Sequence, residues 1–465
     1  MSTVAAQDAT MYWLSGRTRN DLFMLYCFED SGRSGAQLRE FVAHRSAEIA
    51  DLSVRLRELP ADLDYPAWVR CEFRAEQFVE HILPEPDWPS VCEVLGKLLG
   101  TGVDAAVRPW RLHVFREVVG APGGAGPAMV AVLQMSHALA DGRRGAEIAR
   151  RLFSEVGGAE MVAQDVSSAQ APANPIHMNS VLALLRMPIQ FACTVIRGFQ
   201  AFRAQRELAE LASAGRLPGP GPAFTPSLVN RSDSTDGYAH QARMIICHAE
   251  RLRIPGRTVT VVALTAVSIA LDRYLTARGE RPDRLGAQVP MALSDNRIAA
   301  RNNYRSLGVD LFIDEPDLLA RANKIAAALA DRRTRAQHPL LTAQDRVTAV
   351  TPAALLRRDI ERYPLDTVPD SIAGHTVVSS VHRGPADLTF GGAPVRFTGG
   401  FPAIGSVMHL THGVHGLGDT VTVSIHADTA ALPDIDNYVD LLRDALNDVF
   451  DCAIAELGEP ETSTG

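Results

Sequence analysis

Residues 128–135 form a nearly continuous apolar run in which Gln134 is the one polar residue, and this predicts a strand buried on both faces. The period then lengthens. Ala146, Ala149, Leu152, Phe153 and Val156 fall on one helical stripe, so a helix is predicted over 142–156, stopped by Gly157 and Gly158. Upstream, 110–119 reads as a strand and the Pro/Gly-rich 120–127 as the loop of a hairpin. Leu38, Phe41, Ile49, Leu52 and Leu56 predict one helix over 37–59.

Beyond residue 158 the pattern loosens. Residues 158–175 are small and polar, 215–226 are rich in Gly and Pro, and the segment between them, 176–211, is apolar and helical. Arg186, Pro188, Gln190 and Arg197 interrupt the stretch 176–202, which predicts a helix pair at a surface or interface and not a membrane span. The second half opens with a strand at 242–248, a helix at 259–278 and a strand at 286–291. An amphipathic helix from near Asp317 to 335 follows, then strands at 376–381, 407–411 and 421–427, and a closing helix at 434–457. Within 421–427, Val421, Val423 and Ile425 share one face while Thr422, Ser424 and His426 share the other. The expected organisation is α+β: a domain at 1–158, a crossover linker with apolar helices at 159–238, and a second domain at 239–465.

Composition narrows the function classes. The chain has 465 residues, enough for two cores. A net charge of -8 argues against a nucleic-acid partner, which would require a basic face. The six cysteines form no C-x-x-C pair, and residues 1–8 lack the basic-then-apolar order of an export signal. A cytoplasmic protein with reduced thiols is the expectation.

Chemistry concentrates at one junction. His137 stands where the buried strand ends and a helix begins, a rigid seat for a general base that titrates near neutrality. Asp141 lies one turn later, where an aspartate also caps free N–H groups. The H-x-x-x-D-G spacing alone leaves two readings, a catalytic base or a structural histidine. His415 and Asp419 repeat the H-x-x-x-D spacing in a Gly-rich stretch, without the trailing glycine. His409, His412 and His415 recur every third residue, with His426 beyond. In an extended segment that spacing alternates faces and scatters ligands, so no metal centre is expected. There is no G-x-S-x-G elbow, Walker A loop or G-x-G-x-x-G turn.

Several segments together carry a resemblance. They are Asp8-Ala9 with Trp13-Leu14; His81 with Leu83-Pro84; Asp104 before 108–113; and 135–142 around His137. Thr225-Pro226 with Asn230, the helix 258–275 with Arg278-Gly279-Glu280, Val289-Pro290, and Ser379-Ser380-Val381 with Gly384-Pro385 continue the order. This series resembles the bacterial wax ester synthase/diacylglycerol acyltransferases, relatives of the chloramphenicol acetyltransferase-like, CoA-dependent superfamily.

The resemblance implies two chloramphenicol acetyltransferase-like domains with mixed sheets and an active-site tunnel at their interface. It makes His137 the base that takes a proton from an acceptor hydroxyl, with direct attack on acyl-CoA and no covalent acyl-enzyme. Asp141 is then structural, orienting the histidine loop through a salt bridge, and Gly142 permits close backbone packing. The implied substrates are acyl-CoA and a lipid or other hydrophobic alcohol, as in wax ester or triacylglycerol synthesis, with no tightly bound cofactor. Ser136, Trp110, Thr260, Ser380 and His415 become candidates for tunnel or substrate contacts. Five positions in three motifs depart from the family pattern: Ser136 replaces its first histidine, Thr260-Val261 its Asn-Asp pair, and Ser380 with His382 an Asn and a Pro. A non-catalytic acyl-CoA- or partner-binding protein and a condensation-type enzyme using a carrier-protein thioester are the alternatives. The segment 176–211, with Arg186, Arg197, Arg203 and Arg206, is read first as a packed crossover helix, with an interfacial helix at a membrane or lipid droplet as the alternative.

Overall fold

The computed structural model describes residues 2–154, 176–231, 239–293, 300–365 and 367–458, with the backbone alone described for 2, 176–187 and 456–458. In chain order the first half contains β1 (Ser2–Thr3), α1 (Ala6–Ser15), β2 (Leu22–Glu29), α2 (Gly35–Glu48), β3 (Val54–Arg57), β4 (Ala67–Arg70), β5 (Phe78–His81), α3 (Trp88–Leu99), β6 (Trp110–Val118), β7 (Ala128–Met135), α4 (Gly142–Phe153) and α5 (Ile176–Ser213). The second half contains β8 (His240–His248), α6 (Val259–Ala277), β9 (Gly286–Ala292), β10 (Tyr304–Asp310), α7 (Leu318–Ala336), α8 (Thr342–Thr348), α9 (Ala353–Arg362), β11 (Thr376–His382), β12 (Thr389–Phe390), β13 (Ala393–Phe401), β14 (Leu410–Leu417), β15 (Thr420–Asp428) and α10 (Ile435–Gly458).

Two six-stranded mixed sheets organise this α+β fold. The first runs β12-β13-β2-β7-β6-β5 and the second β10-β9-β11-β14-β15-β8. The expected central strand is there: β7 lies between β2 and β6 and all eight of its residues are buried. Met129, Ala131, Leu133 and Met135 pack with Ile148, Leu152 and Phe153 of α4. Ala128, Val130 and Val132 pack on the other side with Val91 and Leu95 of α3 and with Ala242 of β8. Each such side chain taken fully out of water contributes on the order of 1.5–3 kcal/mol. In the second sheet Val378, Val414, Val423 and Ile425 face α6, α7 and α10, the apolar half of the alternation foreseen in 421–427.

The halves interlock. β12 and β13 belong to the second half of the chain yet complete the first sheet, with β13 antiparallel to β2 from Val395 opposite Phe28 to Phe401 opposite Phe23. Opposite β13, β14 approaches so closely that a Cβ on Gly413 would lie 2.0 Å from the Gly400 carbonyl oxygen. Glycine is required there because backbone meets backbone.

Three expectations need correction. The helix predicted over 37–59 ends at Glu48; Ile49 is extended, and Val54-Arg55-Leu56-Arg57 alternates with period two as β3 against β4. The helix pair predicted from Pro188 is one helix, α5, with the proline inside it. The strand predicted at 407–411 is shifted to Leu410–Leu417, so the Gly-rich stretch holding His415 is a strand and not a loop. The segment 158–175 and the stop at Gly157-Gly158 fall outside the described residues.

Candidate active site

The chain leaves β7 through a tight turn that Ser136 builds. Its N–H donates to the Pro109 carbonyl at 2.8 Å, its carbonyl accepts from Leu139 N at 2.9 Å, and its Oγ accepts from Ala138 N at 3.3 Å. Ser136 is fully buried and its hydroxyl is used by its own loop. Asp141 starts α4: its Oδ1 accepts from Arg144 N at 2.9 Å, a cap of about 1 kcal/mol.

Across the turn stand residues from the second half. His137 Nδ1 lies 2.7 Å from Asn302 Oδ1. Asn302 Nδ2 donates to the His137 carbonyl at 2.7 Å and to Asp8 Oδ1 at 2.9 Å. Both of those partners can only accept, so the amide is oriented with its oxygen toward the ring. Nδ1 therefore carries the imidazole proton and Nε2 is the basic nitrogen. Asp8, on α1, also accepts from the backbone N–H groups of Arg301 at 2.9 Å and Asn302 at 2.8 Å.

Electrostatics keep the ring neutral. Burial pushes the His137 pKa down, outweighing its own backbone carbonyl, Asn302 and the charge of Asp141, which all act to raise it. The Tyr304 ring stands 5.9 Å from the imidazole, and burial with Asp141 pushes its hydroxyl pKa up.

Among the described residues Asp141 makes no ion pair, so the salt bridge that the resemblance implies for it is not found there. Besides capping, Asp141 Oδ2 accepts from Asn303 N at 3.2 Å. The ion pairs join Asp51 to Arg301 at 2.6 Å and to Arg144 at 2.9 Å. Burial raises the Asp51 pKa, but the two guanidinium groups overcome it and hold the carboxylate below its ordinary value. The Arg301 guanidinium also covers the Trp68 ring at 4.5 Å and donates to the Leu139 carbonyl. Asp51 carries the load because it is reached from both halves, whereas Asp141 is committed to backbone donors. The close packing expected of Gly142 falls to Gly145. A Cβ at 142 would meet nothing nearer than Val381 Cγ2 at 3.9 Å, while one at 145 would lie 2.4 Å from Met24 Cε.

The other candidates are spread out. Trp110 is a core residue whose Nε1 donates to the Leu52 carbonyl at 2.9 Å and whose ring stacks on Phe73. Thr260 sits in the first turn of α6, in the helix layer behind the second sheet. Ser380 alternates with Val381 and so shares the face of Val378, which packs in the helix-side core. His415 lies opposite Val381, between the sheets, where its ring faces Gly400 and Arg383. His412, on the other face of β14, bonds the Tyr438 hydroxyl at 2.9 Å, so the three-residue spacing does separate the histidines.

Local pattern in the sequence does not mark Asp51 or Asn302 as part of the site, and Asp8 stands out only within the chain's opening Asp8-Ala9 pattern.

This arrangement can be set beside known proteins. The sequence description "Wax ester synthase/diacylglycerol acyltransferase catalytic domain" matches residues 4–236, and "WS/DGAT C-terminal domain" matches 301–449. The chain belongs to the wax ester synthase/diacylglycerol acyltransferase family. The second match begins at Arg301, beside the asparagine that holds His137. Among solved structures, this family member is similar to the wax ester synthase/diacylglycerol acyltransferase from Marinobacter aquaeolei VT8, with TM-score 0.59 and 17% identity over 97% of this chain and 100% of that one. It is also similar to the starter condensation domain of rhizomide synthetase in complex with C8-CoA and Leu-SNAC, with TM-score 0.55 and 13% identity over 97% of this chain and 94% of that one. At these identities the likeness shows the shared two-domain fold. No curated protein matches the sequence.

Proposed function

We propose that this protein transfers an acyl group from acyl-CoA to the hydroxyl of a hydrophobic alcohol, with His137 as general base. The observation that carries this reading is the 2.7 Å bond from His137 Nδ1 to Asn302 Oδ1, which leaves Nε2 as the proton acceptor. Family membership supports acyl transfer, and the C8-CoA in the condensation-domain neighbours supports a CoA thioester as donor.

In the proposed step Nε2 takes the acceptor's hydroxyl proton as the oxygen attacks the thioester carbonyl. The tetrahedral intermediate then expels the CoA thiolate, which recovers the proton from Nε2, so ester and free CoA appear one for one. No enzyme nucleophile is required, and the Ser136 hydroxyl is already engaged by Ala138 N. Asn302 serves as a positioning residue, because the imidazolium formed in the step keeps its bond to Oδ1.

The test incubates purified protein with mixed acyl-CoAs and alcohols and detects esters by mass spectrometry. Wild type should form ester with matching CoA release, and His137→Ala should lose about 10³-fold. Acyl-CoA that binds while neither protein makes ester would support the binding-protein alternative. Ester formed only from a carrier-protein thioester would support the condensation-type alternative.

A further inference from the structure

The C-terminal end of α1 and the turn from it into β2 border a cavity of about 480 Å³, which residues 102–104 and α9 also line. That volume suits a small organic molecule. Three of its lining residues are more than nine-tenths buried: Asp21 (4% exposed), Asn20 (9%) and Trp13 (7%). Asp21 Oδ2 accepts from Val103 N and from Gln134 Nε2, each at 2.8 Å. Its Oδ1 accepts from nothing among the described residues. Burial pushes the carboxyl pKa up to about 6, against its two hydrogen bonds and the charges of Arg19 and Arg111. Asn20 Nδ2 donates to the Met11 carbonyl at 3.0 Å, which orients the amide and leaves Oδ1 buried with no partner. Trp13 Nε1 is likewise buried with no acceptor. Buried polar atoms are as a rule hydrogen-bonded, so two acceptors and one donor that the protein leaves unmatched point to a ligand.

The charges around the cavity narrow its chemistry, because most are already committed. Arg357 pairs with Asp62 at 2.8 Å, Glu361 at 3.0 Å and Glu58 at 3.4 Å. Arg17 donates to the carbonyls of Ile360 and Tyr363 at the end of α9. Asp104 Oδ1 accepts from Ala106 N at 2.8 Å. Asp21 Oδ1 and Arg19 remain. Arg19 is exposed at the rim and makes no hydrogen bond or ion pair among the described residues. It lies along the 102–104 wall, where a Cβ on Gly102 would come 3.0 Å from its Nη1. One open anion and one open cation in the same cavity match a zwitterion. The rings of Tyr12 and Trp13 and the side chain of Val103 add an apolar wall.

We propose that this cavity binds a free α-amino acid with an apolar side chain, its ammonium held by Asp21 Oδ1 and Asn20 Oδ1 and its carboxylate by Arg19. An ammonium offers three donors, and a carboxylate beside an amide oxygen takes them in charge-assisted bonds. The ligand's side chain rests on Tyr12, Trp13 and Val103. The site adjoins the His137 turn without sharing it: Leu22, the residue after Asp21, pairs with Met135, two residues before His137.

The test is calorimetric titration of the full-length protein with L-leucine and L-phenylalanine, beside isoamylamine, which lacks the carboxylate, and isocaproate, which lacks the amine. Thermal unfolding with and without each compound is read in parallel. Wild type should bind an amino acid at one site and gain Tm in its presence. The amine alone and the carboxylate alone should each bind at least about tenfold more weakly. Asp21→Asn keeps the shape and removes the charge, and Arg19→Ala alters an exposed residue. Each should weaken amino-acid binding at least about tenfold, and Arg19→Ala should keep the ligand-free Tm. Wild type that binds neither amino acid overturns the proposal, and so does Arg19→Ala binding as tightly as wild type. Isocaproate bound as tightly as leucine overturns it in favour of an anion site at Arg19; isoamylamine bound as tightly overturns it in favour of a cation site at Asp21. Binding is measured without acyl-CoA, so it stands or falls apart from the acyl-transfer reading.

Discussion

His137 and His415 share the H-x-x-x-D spacing, and burial depresses the pKa of both, yet their surroundings differ in kind. His137 ends a buried strand, and its Nδ1 is held by Asn302 while the ring stands beside Tyr304. His415 sits mid-strand in β14; its Nδ1 has no hydrogen-bond partner, and the charge of Arg383 adds to burial in depressing it. Asp141 caps the helix after His137, whereas Asp419 sits in the turn between β14 and β15 and pairs with Arg253 at 3.9 Å. Spacing is therefore common to a candidate base and a packed histidine. A hydrogen bond that fixes the ring at Nδ1 is what separates them.

The comparison breaks most directly at the two rings. His137→Gln should cost about 10³-fold in ester formation, and His415→Gln less than about tenfold, read as CoA release at saturating substrate. Equal losses would erase the distinction drawn between them.

Removing the tautomer lock comes next in size. Asn302→Leu should lower kcat by about 10²-fold with KM little changed, because the bond that orients the His137 ring is lost. The sign of the pH effect follows from burial. The His137 pKa is below its ordinary value, so the rate should be flat through neutral pH and fall only below about 6.5. Asn302→Asp places a carboxylate against Nδ1, favours the imidazolium, and should move that acid limb upward. A limb unmoved in Asn302→Asp would remove Asn302 from the mechanism.

Acid stability tests the packed histidines. Burial pushes the His412 pKa down to about 3 and that of His113 to about 4. A histidine whose folded pKa is depressed contributes stability that is full above its unfolded pKa. That contribution is lost as pH falls from about 6.5 toward the folded value, at no more than about 1.4 kcal/mol per pH unit for each. Chemical denaturation at stepped pH should show this slope, and His412→Gln should make it shallower.

Smallest of all is Gly142→Ala. The nearest atom to the added methyl is Val381 Cγ2 at 3.9 Å, and alanine is the better helix former, so stability should hold or rise slightly, by under about 1 kcal/mol, read as an unchanged or slightly higher Tm. A clear drop in Tm would show that the gap toward Val381 is tighter than its geometry.

Legibility in the sequence followed distance along the chain. The strand β7, the turn at His137 and the cap at Asp141 all lie within 14 residues, and local pattern revealed them. The partners that orient the ring come from residue 302 and, through it, from residue 8, and no period or spacing connects such positions. The family resemblance marks His137 and implies a salt bridge at Asp141, whereas the ion pairs among the described residues beside the turn belong to Asp51. The pairing of β13 with β2 joins positions some 370 residues apart and was invisible for the same reason. The helix over 37–59 failed differently. Its apolar residues satisfied a helical stripe, and the two-residue alternation in 54–57 was too short to compete until β4 supplied a partner.

The strand that β13 lends to the first sheet has a consequence for synthesis on the ribosome. When residues 1–236 have emerged, β2 is an open edge, because the strand that covers it ends at Phe401. An uncovered edge recruits other chains. A fragment truncated at 236 should therefore be recovered as aggregate, and a nascent chain should resist protease across 22–29 only once translation has passed well beyond residue 401. The N-terminal part of this protein begins its sheet early and has to wait for most of the remaining message before it can close it.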